Sequence, residues 1–132
     1  MRSRQVLLAI FLICSTIVIA GCASSDGGAK PKGIAPGTAK YSMGTLESFE
    51  AKSIDKVYDA ALKAMDELKL PVIQKGVDSM SGKIVGRDVA DKKIVVTLSS
   101  TTDGMTKVSI KVGLLGDEAK SRLVYEQLKK KI

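Results

Sequence analysis

Two neighbouring stretches, residues 93–100 and 105–113, alternate apolar and polar side chains at the period of a β-strand. Ile94, Val96 and Leu98 in the first, and Val108, Ile110 and Val112 in the second, fall on one side; Val95, Thr97 and Ser99, with Lys107, Ser109 and Lys111, fall on the other. Such a pattern requires a sheet with one face buried. Two further strand-like runs precede them, at residues 70–78 and 83–89. The links Ser79-Met80-Ser81-Gly82, Ala90-Asp91-Lys92 and Thr101-Thr102-Asp103-Gly104 are short and rich in turn formers. Connections this short join antiparallel neighbours, because parallel ones need a crossover of a dozen or more residues. Residues 41–51 carry β-favouring side chains without a helical period and read as one more strand.

Two segments change period. From Ser53, placed as an N-cap with Asp55 in the first turn, Ile54, Val57, Tyr58, Ala61, Met65 and Leu68 recur at helical spacing until Pro71 forbids continuation. In residues 117–132, Asp117 opens a second helix with Val124, Tyr125, Leu128 and Ile132 on one side. Lys129, Lys130 and Lys131 stand at its carboxyl end, where the helix dipole favours cations. Both apolar stripes need cover, and the sheet offers one apolar face. The expected fold is α+β: a two-layer sandwich, an antiparallel sheet of about five strands in the order β-α-β-β-β-β-α, with two helices on one face. No internal repeat is present.

The amino terminus has a different logic. Met1-Arg2-Ser3-Arg4 is a basic start, and residues 6–20 form an apolar run of 15 residues without a charge. That is short of the roughly 20 needed to cross a ~30 Å hydrocarbon core, so a cleaved targeting signal is the stronger reading than a retained span. The run ends in Ile19-Ala20-Gly21-Cys22, which resembles the bacterial lipobox. The resemblance implies a diacylglycerol on the Cys22 thiol, cleavage between Gly21 and Cys22, and acylation of the new amino group. The competing reading is ordinary secretion. Two or three acyl chains would hold the protein on a membrane essentially permanently, whereas one binds reversibly. Residues 1–21 are thus expected to be a lipoprotein signal peptide, 22–40 a lipidated cysteine and flexible tether of Ser, Gly, Ala, Lys and Pro, and 41–132 the globular domain. About 17 tether residues, at ~5–6 Å times the square root of their number, place the globule roughly 20–25 Å from its anchor.

Composition limits the chemistry. Cys14 lies in the removed segment and Cys22 would be a thioether, so no disulfide and no free-thiol chemistry is expected in the mature chain. Of 21 Lys and Arg only Arg2 and Arg4 precede Cys22, leaving 19 against 14 Asp and Glu in the mature 111 residues, a side-chain charge of +5. The excess suits anionic surroundings such as lipid headgroups or lipopolysaccharide, and equally serves solubility. The chain has no His, Trp or Asn, which removes His-based triads, His-rich metal sites and much of the stacking equipment for sugars and bases. Ser53-Ile54-Asp55-Lys56 fits the Ser-x-x-Lys pattern of penicillin-recognising enzymes, with Lys111-Val112-Gly113 as a loose second motif. The missing asparagine and the shortness of the domain favour a plain helix start instead. Asp78, Asp88, Asp91 and Asp103 fall at turns, and Gly82, Gly86, Gly104, Gly113 and Gly116 read as turns and bulges rather than a phosphate loop. No catalytic, metal-binding or cofactor-binding residue is assigned, and no nucleic-acid partner is expected.

Over residues 43–132 the chain is similar to a family of small bacterial lipoproteins of uncharacterised function that includes surface lipoproteins of pathogens. The resemblance rests on Gly44-Thr45-Leu46, Val57-Tyr58-Asp59-Ala60-Ala61-Leu62, Asp78-Ser79-Met80-Ser81-Gly82-Lys83-Ile84, Val108-Ser109-Ile110-Lys111-Val112-Gly113 and Gly116-Asp117-Glu118-Ala119-Lys120-Ser121-Arg122. It implies the fold and the lipidated topology and brings no chemistry. The expected function is therefore a membrane-anchored, non-enzymatic binding or structural module of the cell envelope. Its expected partners are the membrane through Cys22 and an envelope protein or a lipid. The alternative is a carrier or sensor of an apolar ligand held between helices and sheet, with Met43, Met65, Met80 and Met105 as adaptable fillers. Ala23 and Ser24 follow Cys22 where inner-membrane retention would resemble an acidic residue, so the outer membrane is the expected location.

Overall fold

A computed structural model describes residues 34–132. They form a six-stranded antiparallel sheet and two helices: β1 (Ala39–Ser42), β2 (Thr45–Glu50), α1 (Ile54–Glu67), β3 (Val72–Val77), β4 (Ser81–Arg87), β5 (Lys93–Ser100), β6 (Thr106–Val112) and α2 (Glu118–Lys129). The strand order is β1-β2-β6-β5-β4-β3. The chain is α+β with both helices packed on the sheet, and it has one strand more than the alternation suggests.

The extra strand comes from residues 41–51, which form a hairpin arm and a strand rather than one run. Met43 and Gly44 both take left-handed backbone angles, φ 50° and 77°, the geometry of a two-residue turn whose twist matches paired strands. The usual Asn-Gly or Asp-Gly signal is missing, because Met occupies the first of the two positions. β1 also begins at Ala39, so Ala39 and Lys40, read as tether, belong to an edge strand.

The register aligns the apolar sides of the strands. Leu46 lies opposite Ile110, Ile110 opposite Val96, and Val96 opposite Ile84, one continuous row beneath the helices. A second row runs Ser48, Val108, Leu98, Gly82. α1 covers the β3–β5 side and α2 the β2–β6 side, and the helices touch each other along the middle. Val57, Ala61, Ala64 and Met65 of α1 and Val124, Tyr125 and Leu128 of α2 are buried against these rows. Gly86 makes the close approach of α1 possible: a Cβ there would lie 2.4 Å from Met65 Cε and 3.0 Å from the Pro71 carbonyl oxygen. β3 is the exposed edge, with a bulge between Val72 and Gln74.

The helix ends differ from each other. Asp117 accepts a hydrogen bond from the Lys120 amide at 3.1 Å and caps α2 with its side chain. Ser53 holds the N-cap position of α1 with extended backbone, yet its side chain makes no capping bond; only its carbonyl enters the helix, accepting from Val57 N at 3.2 Å. At the other end Lys69 turns left-handed, φ 57°, and Leu70 N donates to Met65 O at 2.9 Å, closing α1 without the usual glycine.

Candidate functional site

Helices that run up and down over a sheet cannot cover it equally at both ends. α1 stops at Glu67, α2 starts at Glu118, and between these two termini and the β4–β5 link lies a cavity of about 210 Å³. Leu68, Leu70, Val89, Ile94, Leu123 and Val124 make its walls apolar, and Lys69, Asp88 and Lys120 stand at its polar margin. It lies below the usual ~300–1,000 Å³ of small-molecule sites, a size for one acyl segment or a small apolar group.

At the polar margin Asp88 and Lys120 engage each other. Asp88 accepts from the Ala90 amide at 2.8 Å, from the Lys92 amide at 3.0 Å, and from the Lys120 ammonium. The Lys120 hydrogen bond, then the Lys92 amide, holds the Asp88 carboxyl below its ordinary range, and Asp88 in turn raises Lys120. Both groups are charged at neutral pH, an ion pair rather than an acid and a base.

A second polar group lies inside the seam, towards the opposite end. Ser48 and Glu50 share the inward parity of Leu46, and α2 lays Tyr125 over them. The Tyr125 hydroxyl donates to Glu50 Oε1 at 2.7 Å and the Ser48 hydroxyl donates to the same oxygen at 2.6 Å. Glu50 is 6% exposed and Tyr125 2%. Burial pushes the Tyr125 phenol well above its ordinary value of 10, with the Glu50 carboxyl adding to the rise and Ser48 opposing it, so it remains a donor. The trio is a satisfied polar peg in the core. Its sequence signal was a carboxyl at a core-facing strand position, hidden while residues 41–51 were read as a strand of unknown facing.

The residues singled out in the sequence are not assembled into a reactive centre. Ser53 and Lys56 are both exposed on the first turn of α1. Lys111 stands on the sheet face away from the helices, five residues along β6 from Thr106, whose hydroxyl donates to the Lys52 carbonyl at 2.8 Å; that separation is about 16 Å. Asp78 accepts from the Met80 and Ser81 amides at 2.8 and 2.7 Å, and Asp91 pairs with Arg87 at 2.7 Å. Asp103 lies in the β5–β6 turn. Of the four methionines singled out as fillers, Met65 is core, Met43 and Met80 project from turns, and Met105 is half-buried; none lines the cavity. Gly21, Cys22, the signal segment 1–21 and the tether up to residue 33 lie outside the described residues. Among the described residues no group of His, Cys, Asp or Glu could hold a metal ion, and no helix is long and apolar enough to cross a membrane.

These elements define a small α+β domain, one antiparallel sheet with two helices and an apolar cavity where the helices part. The chain belongs to the DUF3568 family, proteins of unknown function, whose family model matches residues 5–131. No curated protein matches it.

Proposed function

We propose that this chain is a cell-envelope lipoprotein, anchored through acyl chains on Cys22, whose globular domain is a non-enzymatic binding or structural module. The observation that carries this reading is the succession of a basic start, a 15-residue apolar run and Ile19-Ala20-Gly21-Cys22. The family match begins at residue 5 and so spans most of this stretch, which is compatible with the reading. Cys22→Ser tests it: lipidation precedes cleavage in this pathway, so the variant should accumulate as precursor with its leader attached. A variant that is cut and released in soluble form would refute the anchor. Fractionation should place the wild-type protein with the outer membrane, given Ala23 and Ser24, and recovery chiefly with the inner membrane would overturn that location.

The apolar cavity beside Leu123 favours a second reading, a carrier or sensor of an apolar ligand. Native mass spectrometry of the protein should then show co-bound lipid, and a clean apo mass across preparations would exclude it.

A further inference from the structure

Folding gives no reason for large aliphatic side chains to stand fully in water, and at one end of this sandwich four do. Met43 in the β1–β2 turn, Val89 in the β4–β5 link, and Leu114 and Leu115 in the β6–α2 loop are 98, 102, 88 and 89% exposed. The three loops are neighbours. Gly44 and Gly116 meet backbone to backbone: a Cβ on Gly116 would lie 2.2 Å from the Gly44 carbonyl oxygen, and one on Gly44 2.4 Å from the Leu115 carbonyl oxygen. Gly113 N donates to Lys93 O at 2.8 Å, tying the β6–α2 loop to the start of β5. The apolar tips therefore form one rim, held by glycine contacts and a strand-end hydrogen bond, with the cavity opening beside it.

Behind the rim come cations. Lys93 lies opposite Arg87, which pairs with Asp91 at 2.7 Å, and Lys111 lies opposite Val95, all exposed on the sheet face away from the helices. At ~3.3 Å per strand residue, Lys111 stands about 7–10 Å behind Leu114. A bilayer has the same layering. Its polar layers add ~10–15 Å to a ~30 Å core, hence about 5–8 Å of headgroups on each side.

We propose that this rim docks on an anionic phospholipid surface, with Met43, Val89, Leu114 and Leu115 entering the acyl boundary and Lys93 and Lys111 meeting the phosphates. The proposal deepens the lipoprotein reading and rests on it for the surface engaged. The anchor and the rim can reach one leaflet although the chain enters the domain at the end opposite the rim. The chain enters the domain near Gly37, whose amide donates to Phe49 O at 2.7 Å at the far end of β2. The two ends are separated by about the length of α1, 14 residues or ~21 Å. The 14 residues between Cys22 and Gly37 span up to about 46–50 Å, more than enough to let the domain turn its rim to the membrane.

The test exploits the cysteine count. With Cys14 removed and Cys22 acylated, a single added cysteine is the only free thiol, so the full-length protein, purified from membranes as Leu115→Cys or as Met80→Cys, takes one environment-sensitive fluorophore. Met80 is the control, exposed and apolar but in the β3–β4 turn at the opposite end. Each protein is reconstituted into vesicles of phosphatidylethanolamine and phosphatidylglycerol with brominated acyl chains, and acylation of Cys22 is read by mass spectrometry. The expected result is quenching at residue 115 about threefold or more above that at residue 80, the contrast between a site ~5–10 Å into the interface and one in water. Adding Leu114→Asp to Leu115→Cys should remove the contrast. Equal quenching at the two sites, or none at either while the protein stays on the vesicles, overturns docking. Quenching that disappears on dilution of protein at constant lipid also overturns it, assigning the rim to a second copy. Unacylated Cys22 would sink the anchor reading alone, since a fluorophore on Cys22 would be common to both proteins and the difference between residues 115 and 80 would still decide docking.

Discussion

Removing the Tyr125 hydroxyl isolates the Ser48–Glu50–Tyr125 trio, because Tyr125→Phe keeps the ring that fills the seam and deletes only the donor. Glu50 Oε1 then accepts from Ser48 alone, in a place where water cannot replace the lost partner at 2.7 Å. A buried acceptor deprived of one donor costs about 1–3 kcal/mol. The described domain of 99 residues is expected to have a total stability of about 5–15 kcal/mol, so the loss is a large share. At ~4–8 °C per kcal/mol for a domain of this size, Tm should fall by roughly 5–20 °C in thermal melts followed by circular dichroism. Glu50→Leu removes the acceptor instead, and the double variant should be destabilised by less than the sum of the singles, with a coupling of about 1 kcal/mol or more. The sign of the pH dependence follows as well. The folded state binds the Tyr125 proton more tightly than the unfolded chain, so this part of the stability is complete below the ordinary pKa of 10 and is lost as pH rises above it. Tyr125→Phe should therefore melt with a weaker alkaline dependence than the parent. A Tm within about 2 °C of the parent at neutral pH, or strictly additive singles, would refute the claim that the trio is a coupled, buried network.

Leu128→Ala, at a fully buried position of α2, should cost about 2–5 kcal/mol, while Lys130→Ala, on the exposed end, should change stability by no more than about 0.5 kcal/mol; equal melts for the two would mean α2 is not docked on the sheet. Gly116→Ala should be more damaging than its small size suggests, by about 2 kcal/mol or more in urea unfolding, because its φ of 89° disfavours a side chain and the added Cβ meets Gly44 backbone that cannot move aside as a side chain end could; a neutral result would mean that the two loops are not in backbone contact.

Much of the fold was legible because its signals are local. The alternation of residues 93–100 matches β5 residue for residue, and its inward set, Ile94, Val96 and Leu98, is the buried set. The stripes of both helices likewise end in the core. What failed was also local in origin. Met43 in a left-handed position carries no glycine or asparagine flag, so the β1–β2 turn was passed over and two strands were read as one. Ser53 does take the N-cap position its type and place suggest, but its side chain makes no capping bond, because that bond depends on a rotamer that type and spacing do not specify.

The sequence alone determined the layer architecture, since period two and period 3.6 each dictate which side chains must leave water, and the pattern from Met1 to Cys22 on which the lipoprotein proposal rests is a matter of order along the chain. Only the tertiary structure decided which residues share a site. The cavity exists because two helices end near one another, the core trio because α2 crosses β2, and the apolar rim because turns 43–44, 88–92 and 113–116 arrive at the same end of the sheet. These groupings join residues up to 75 positions apart, as between Glu50 and Tyr125. Sequence periodicity reports the direction of each side chain from its own strand or helix; proximity between elements follows only from strand order and packing.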